Sequence, residues 1–251
     1  MRRLFSWQVI LGLSLVALSA IVYWIHYLIF HDVHHIFIYL VGDIAFVFIE
    51  VLLVTLIMHN LLAHREKQSM LKKLNMVIGA FFSEAGKEII GVFAEFDTDA
   101  SSIQRMLIVQ KDWSKTEFLK ISTRLKKRDY LLDIKKSDIG KLKNLLIAKR
   151  GFLLNLLENP NLLEHEKFTN LLWAVFHLTE ELSARNELTD IPESDAEHLA
   201  NDIKRAYRLL LLQWLAYMQH LKNDYPYLFS LAMRTNPFDE DAKVQLQPLT
   251  T

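Results

Sequence analysis

Cysteine is absent from the 251 residues. Disulfides, thiolate-bound metals, iron–sulfur clusters and cysteine nucleophiles are thereby excluded, although the redox compartment stays open. Glycine and proline are scarce, at seven and five residues, and alternating β-branched runs are nearly missing, so the pattern predicts helices throughout. Basic and acidic residues balance at 29 each, so no global field draws the chain to nucleic acid or another polyanion. Catalytic signatures are missing as well. There is no Walker loop, dinucleotide fingerprint, Gly-x-Ser-x-Gly or His-Glu-x-x-His. A carboxylate-bridged di-metal bundle needs two Glu-x-x-His pairs, and the nearest approach is one imperfect copy, Asp195-Ala196-Glu197-His198. His177 and Glu181 stand four residues apart, but His177 falls off the apolar stripe of its helix and reads as exposed. No enzyme is expected.

What the chain does have is apolar length. Hydrophobic residues make up 51% of it, with the excess concentrated in the first sixty positions, a membrane signature. Residues 7–30 and 36–60 are each long enough to cross the roughly 30 Å hydrocarbon core of a bilayer as a helix. A cleaved signal peptide competes for the first, because Arg2 and Arg3 precede it and Ala17-Leu18-Ser19 resembles a cleavage site. The apolar run continues well past that site, which favours an uncleaved helix. Trp7, Tyr23, Trp24 and Tyr27 lie towards its ends as interfacial anchors do. Arg65, Lys67, Lys72 and Lys73 follow the second span, while the connector 31–35 has neither Lys nor Arg. The positive-inside rule then puts both termini in the cytoplasm of an inner (plasma) membrane. So short a connector predicts a tight antiparallel hairpin.

Two carboxylates interrupt the second span, Asp43 and Glu50. A charge near the bilayer middle costs at least about 2.5 kcal/mol and is rarely left facing lipid. Seven residues is close to two turns, so both acids fall on nearly one stripe, about 10 Å apart along the axis. Mirroring across the turn places Asp43 at the depth of Tyr23, whose hydroxyl is a candidate partner. One hairpin shields two carboxylates poorly, so the stripe calls for further copies or a membrane partner. It reads as a cation path or proton relay lined by several copies, or as acids that hold an oligomer together. At the outer mouth stand His31, His34, His35 and Asp32, with His26 one turn below. These are candidate ligands for a divalent cation, a candidate pH sensor, or ordinary residues of a polar turn.

Beyond Asn60 no break signal appears, and residues 61–98 read as a cytosolic helical extension carrying Leu71, Leu74, Ile78, Phe81, Ala85, Ile89, Val92 and Phe96 on one face. Gly79, Gly86 and Gly91 weaken that helix and allow close packing. The run 96–102 is a cap and turn that opens a cytosolic helical domain over 99–235. Within it Ser114 with Glu117 forms a capping box, Ser137 opens a second helix, Leu163 begins a third and Ser194 a fourth. The apolar run 209–218 is too short to span a bilayer and should be the buried centre of this bundle. From Asn236 a polar tail, 236–251, is expected to be disordered.

Residues 120–150 hold eleven Lys or Arg against three Asp. Lys126, Lys127, Arg128, Lys135, Lys136, Lys141 and Lys143 are therefore candidates for docking on an anionic inner leaflet, unless acids elsewhere balance them. No nucleic-acid motif accompanies the charge. The sequence thus predicts an all-α protein: residues 1–6 cytosolic, a two-span transmembrane hairpin, then a cytosolic helical bundle domain. Its first functional reading is a homo-oligomeric cation channel or cation-binding protein. The other is a membrane-anchored sensor or scaffold whose cytosolic domain recruits a protein partner.

Overall fold

The computed structural model describes residues 7–162, 165–188 and 191–245. The N-terminal arginines Arg2 and Arg3, the helix start assigned to Leu163, and the last six residues of the tail lie outside them. The described residues are all-helical, and the chain divides into two units, Met1–Lys67 and Gln68–Thr251.

In the first unit α1 (Trp7–Phe30) is followed by the start of α2 (Val33–Phe81). Both are long and apolar enough to cross a membrane. The connector is shorter than the sequence implies, only His31 and Asp32. Asp32 is the reason: its Oδ1 accepts the His34 and His35 backbone N–H groups at 2.9 and 3.2 Å. That caps α2 and lets helix begin at Val33 rather than Ile36. His31 turns the chain in a left-handed conformation, φ 50°, with its N–H donating to the Tyr27 carbonyl at 2.9 Å. This is the single-bond closure often made by glycine, and a histidine there carries local strain.

Away from the turn, α1 and the first part of α2 cover each other little. Among described side chains of residues 7–67, only His26, His35, Ile36 and Leu40 are half-buried, and the rest are exposed. Contact between the two helices is confined to side chains near the turn. Helices as apolar as lipid need small-residue seams to pack, and nothing lies within 4 Å of where a Cβ on Gly12 or Gly42 would sit.

The second unit carries the hydrophobic core. The later turns of α2 bury Leu74, Ile78 and Phe81, and α3 (Lys87–Phe96) buries Ile89, Ile90, Phe93 and Phe96. Between them the five residues Phe82–Gly86 form a wider π-type turn, with the Lys87 N–H donating to the Phe82 carbonyl five residues back. The extra residue lets the adjacent Phe81 and Phe82 both point inward. So the stretch read as a cytosolic extension belongs to the helical domain, which begins near Gln68 rather than at residue 99.

Five helices complete the second unit before its C-terminal turns: α4 (Ala100–Leu107), α5 (Lys115–Lys127), α6 (Ile139–Leu157), α7 (Glu166–Ala184) and α8 (Glu193–Asp224), followed by α9 (Pro226–Arg234). α8 is the central strut, packing on α3, α5, α7 and α9. Its apolar middle is buried at Leu210, Leu211, Trp214, Leu215 and Met218, each burial contributing about 1.5–3 kcal/mol. The caps shift from their expected places by a few residues. Ser114 accepts the Glu117 N–H at 3.3 Å as the capping box requires, whereas Asp138, not Ser137, caps α6. α7 is capped by His165, and α8 starts at Glu193 behind Pro192 without a side-chain cap. The tail departs from expectation at its start: Asn236 is buried with its Nδ2 donating to the Leu107 carbonyl at 2.9 Å, and Phe238 is buried near Trp214.

Candidate functional site

The acidic stripe of α2 stands uncovered. Asp43 and Glu50 are exposed, and neither forms a hydrogen bond or ion pair among the described residues. Tyr23 is exposed as well, and its hydroxyl is not bonded to Asp43. The helical periodicity puts the two acids on one stripe, and one chain supplies nothing to neutralise it.

At the turn, the histidines separate rather than gather. His26 and His35 stack with ring centroids 5.8 Å apart, and His35 also packs edge-on against Tyr39 at 4.7 Å. The buried His26 Nε2 and His35 Nδ1 have no hydrogen-bond partner among the described residues. His31 lies against Tyr27, outside the helix, so its helical spacing to His35 is lost. Asp32 is engaged in capping. No three of these groups bring ligand atoms within 4.8 Å of one another.

Most of the basic segment is engaged by the fold. Arg128 is largely buried and donates to Asp99 at 2.6 Å and Ser102 at 3.1 Å. Lys135 pairs with Glu193 at 3.4 Å, Lys141 pairs with Glu95, Lys136 donates to the Asp97 carbonyl, and Lys143 donates to the Arg185 carbonyl. The hydrogen bond from Lys141 holds the Glu95 carboxyl below its usual range. Among the described residues Lys126 and Lys127 have no ion-pair partner, and neither does Arg124 on the same helix. With the exposed Leu119 and Lys120 they leave α5 with a basic, partly apolar outer face.

A third cluster joins α7 to α8. The apolar stripe of α7 buries Val175, Leu178, Thr179 and Leu182 against Leu199, Ile203 and Ala206 of α8, with the two helices antiparallel. His177 and Asp202 sit at the margin of those stripes, and His198 stands one turn before Asp202. Nε2 of His177 lies 3.3 Å from Asp202 Oδ2, and Nε2 of His198 lies 3.5 Å from the same oxygen. The Asp202 side chain is 11% exposed, and its Oδ2 accepts no hydrogen bond within the structure. Arg205 approaches its other oxygen at 3.6 Å, and Glu181 lies 4.0 Å from His177. Next to the cluster, Arg185 clasps both helices, reaching Glu181 at 2.6 Å and Asp195 at 2.7 Å. Its hydrogen bonds hold both carboxyls below their usual ranges.

This was the grouping that sequence reasoning missed. In the sequence His177 pairs with Glu181 on its own helix, and His198 falls in the imperfect Glu-x-x-His copy. The informative signal was the i,i+4 pair His198 and Asp202, which presents both side chains on one face of α8.

A family described as "Uncharacterized protein MJ1433, C-terminal helical domain" matches residues 70–234, and "MJ1433, N-terminal helical domain" matches residues 2–62. A protein named "Uncharacterized protein MJ1433" from Methanocaldococcus jannaschii is 48% identical over 233 residues, covering 93% of this chain and 94% of that protein. No solved structure matches.

Proposed function

The chain belongs to the family of the uncharacterized protein MJ1433, and from that premise we propose a two-span integral membrane protein that self-associates and handles cations. The single observation behind this reading is the pair Asp43 and Glu50, unpartnered on one stripe of a long apolar helix. Each acid facing lipid costs at least about 2.5 kcal/mol. Copies packed through α2 enclose the stripe instead, where it binds or passes cations. The domain from Gln68 onward is cytoplasmic, as is the N-terminus, and the turn at His31 and Asp32 lies outside.

The test combines mass with flux. Asp43→Asn and Glu50→Gln remove charge at nearly constant shape, so the oligomer should keep its mass in nanodiscs while cation flux in liposomes falls. Wild-type protein that stays oligomeric yet passes and binds no cation would sink the cation reading. Monomeric wild-type protein would sink self-association. For orientation, a cysteine replacing Val33 should react with an impermeant thiol reagent on intact cells, and one replacing Ser69 should not; the reverse pattern refutes this topology.

A second reading, a membrane-anchored scaffold or sensor, rests on the separate core of the second unit. A domain with its own core does not need the spans in order to fold, and can present a surface to a protein partner. A monomeric or dimeric hairpin with its acids covered by a partner favours that reading.

A further inference from the structure

We propose that His177, His198 and Asp202 form a binding site for a divalent first-row transition metal, zinc foremost, which clasps α7 to α8. The site belongs to the helical domain and stands independently of what the membrane helices do.

Geometry carries the proposal. In tetrahedral zinc sites the bonds to imidazole nitrogen and carboxylate oxygen are about 2.0–2.2 Å, which sets neighbouring ligand atoms about 3.3–3.6 Å apart. Asp202 Oδ2 stands 3.3 Å from His177 Nε2 and 3.5 Å from His198 Nε2, and the three atoms lie within 4.8 Å of one another. Two of the three separations therefore match those a metal would set, and the third is within reach of it.

The donor chemistry narrows the ion. Two imidazoles and one carboxylate suit zinc, ferrous iron, cobalt or nickel, whereas magnesium and calcium prefer all-oxygen sets. The ligands have the support that metal sites need. Asp202 is nearly buried, so its position is set by packing, and Arg205 lies beside the oxygen that faces away from the histidines. The unbonded Oδ2 is the group with most to gain from a cation. The two histidines remain about half-exposed, at 44% and 51%. That leaves an entry path and a fourth position for water or a small ligand, as in zinc sites that keep three protein ligands. Glu181 is not counted among the ligands, because Arg185 already holds its carboxylate.

Placement gives the site a consequence. Its ligands come from two helices joined by the segment 185–192, so a bound ion cross-links α7 and α8 beside the Arg185 clasp. Metal that binds only the folded state also raises the melting temperature by mass action.

The experiment uses the untagged full-length chain in detergent micelles, stripped with a chelator and dialysed against zinc or cobalt(II) alone. Metal content by mass spectrometry and the visible absorption of cobalt(II) are the readouts. Four chains are compared: wild type, His198→Ala, Asp202→Asn, and a turn variant carrying His31→Asn, His34→Ala and His35→Ala. Both single variants alter side chains at the domain surface or keep shape, and unchanged circular dichroism would establish that they fold. The expected result is one tightly held equivalent in wild type and in the turn variant, with a metal-induced rise in melting temperature. His198→Ala and Asp202→Asn should each weaken binding by more than about tenfold, the scale set by changes even to outer-shell partners. Three results would overturn the proposal: no stoichiometric uptake by wild type, uptake unchanged in both single variants, or uptake lost only in the turn variant.

Discussion

At the scale of single residues, two positions test how the core of the helical domain is built. A Cβ on Gly86 would lie 2.6 Å from Phe82 Cδ1 and 2.9 Å from Phe81 Cε1, both in fully buried rings, while a Cβ on Gly91 would meet nothing within 4 Å. Gly86→Ala is therefore expected to destabilise the protein by about 1–3 kcal/mol through overpacking. Gly91→Ala, on the open side of α3, should stabilise by about 0.5–1 kcal/mol through helix propensity. Denaturant titration of the two variants checks both signs, and similar effects at both sites would contradict the packing described. Tyr207 makes a different case. Burial, with Asp97 nearby, pushes its hydroxyl's ionisation well upward, and burial pushes Tyr130 up to about 12. Below about pH 10 both phenols are protonated folded or unfolded, so their contribution is fully present there. As pH rises further the unfolded chain ionises first, and stability is lost until the folded-state value is passed. The Tyr207 hydroxyl has no hydrogen-bond partner among the described residues. Tyr207→Phe should thus be neutral or stabilising by up to about 1 kcal/mol at pH 7 and lose less stability above pH 10. A steeper alkaline loss in Tyr207→Phe would count against this assignment.

At the scale of elements, α5 is the part of the basic segment left available to a partner. Ion pairs to Asp99, Glu193 and Glu95 engage Arg128, Lys135 and Lys141 beyond it, and Glu88 and Glu180 pair with Lys149 and Arg150 of α6. Among the described residues nothing pairs Arg124, Lys126 or Lys127, which stand beside the exposed Leu119. If α5 docks on an anionic leaflet, each such residue contributes about 1 kcal/mol. The double substitution Lys126→Ala with Lys127→Ala should then lower the partition of fragment 68–251 onto anionic vesicles about 30-fold in a flotation assay, at low salt. Equal flotation with neutral vesicles would identify Leu119 and its neighbours as an apolar patch instead.

At the scale of the whole molecule, every residue of the buried core lies between Leu74 and Phe238, inside the second unit. Fragment 68–251 is therefore expected to be helical and to melt cooperatively in detergent-free buffer. The segment 1–67, whose described apolar side chains are nearly all exposed, should need detergent or lipid. Aggregation of 68–251 together with loss of its cooperative transition would show that the division at residue 67 is not one of folding.

Local pattern by itself determined much of this protein. Apolar length marked α1 and α2, because a run of some twenty greasy residues needs no partner to be recognised. Three- and four-residue spacing marked Leu74, Ile78, Phe81 and Ile89 as one buried face, and Ser114 with Glu117 as a helix start, since these follow from a few adjacent residues. What the tertiary structure decided was everything set by residues far apart in sequence. It joined residues 68–98 to the domain, because Phe81 packs on Phe168 and Phe82 on Trp214. It paired Lys141 and Lys149 with acids of α3, Arg150 with Glu180 of α7 and Lys135 with Glu193 of α8. It also brought His177 to within 3.3 Å of Asp202, 25 positions away. Periodicity reports which face of a helix is apolar, but not which other helix covers it, and a site shared by two helices exists only after they pack.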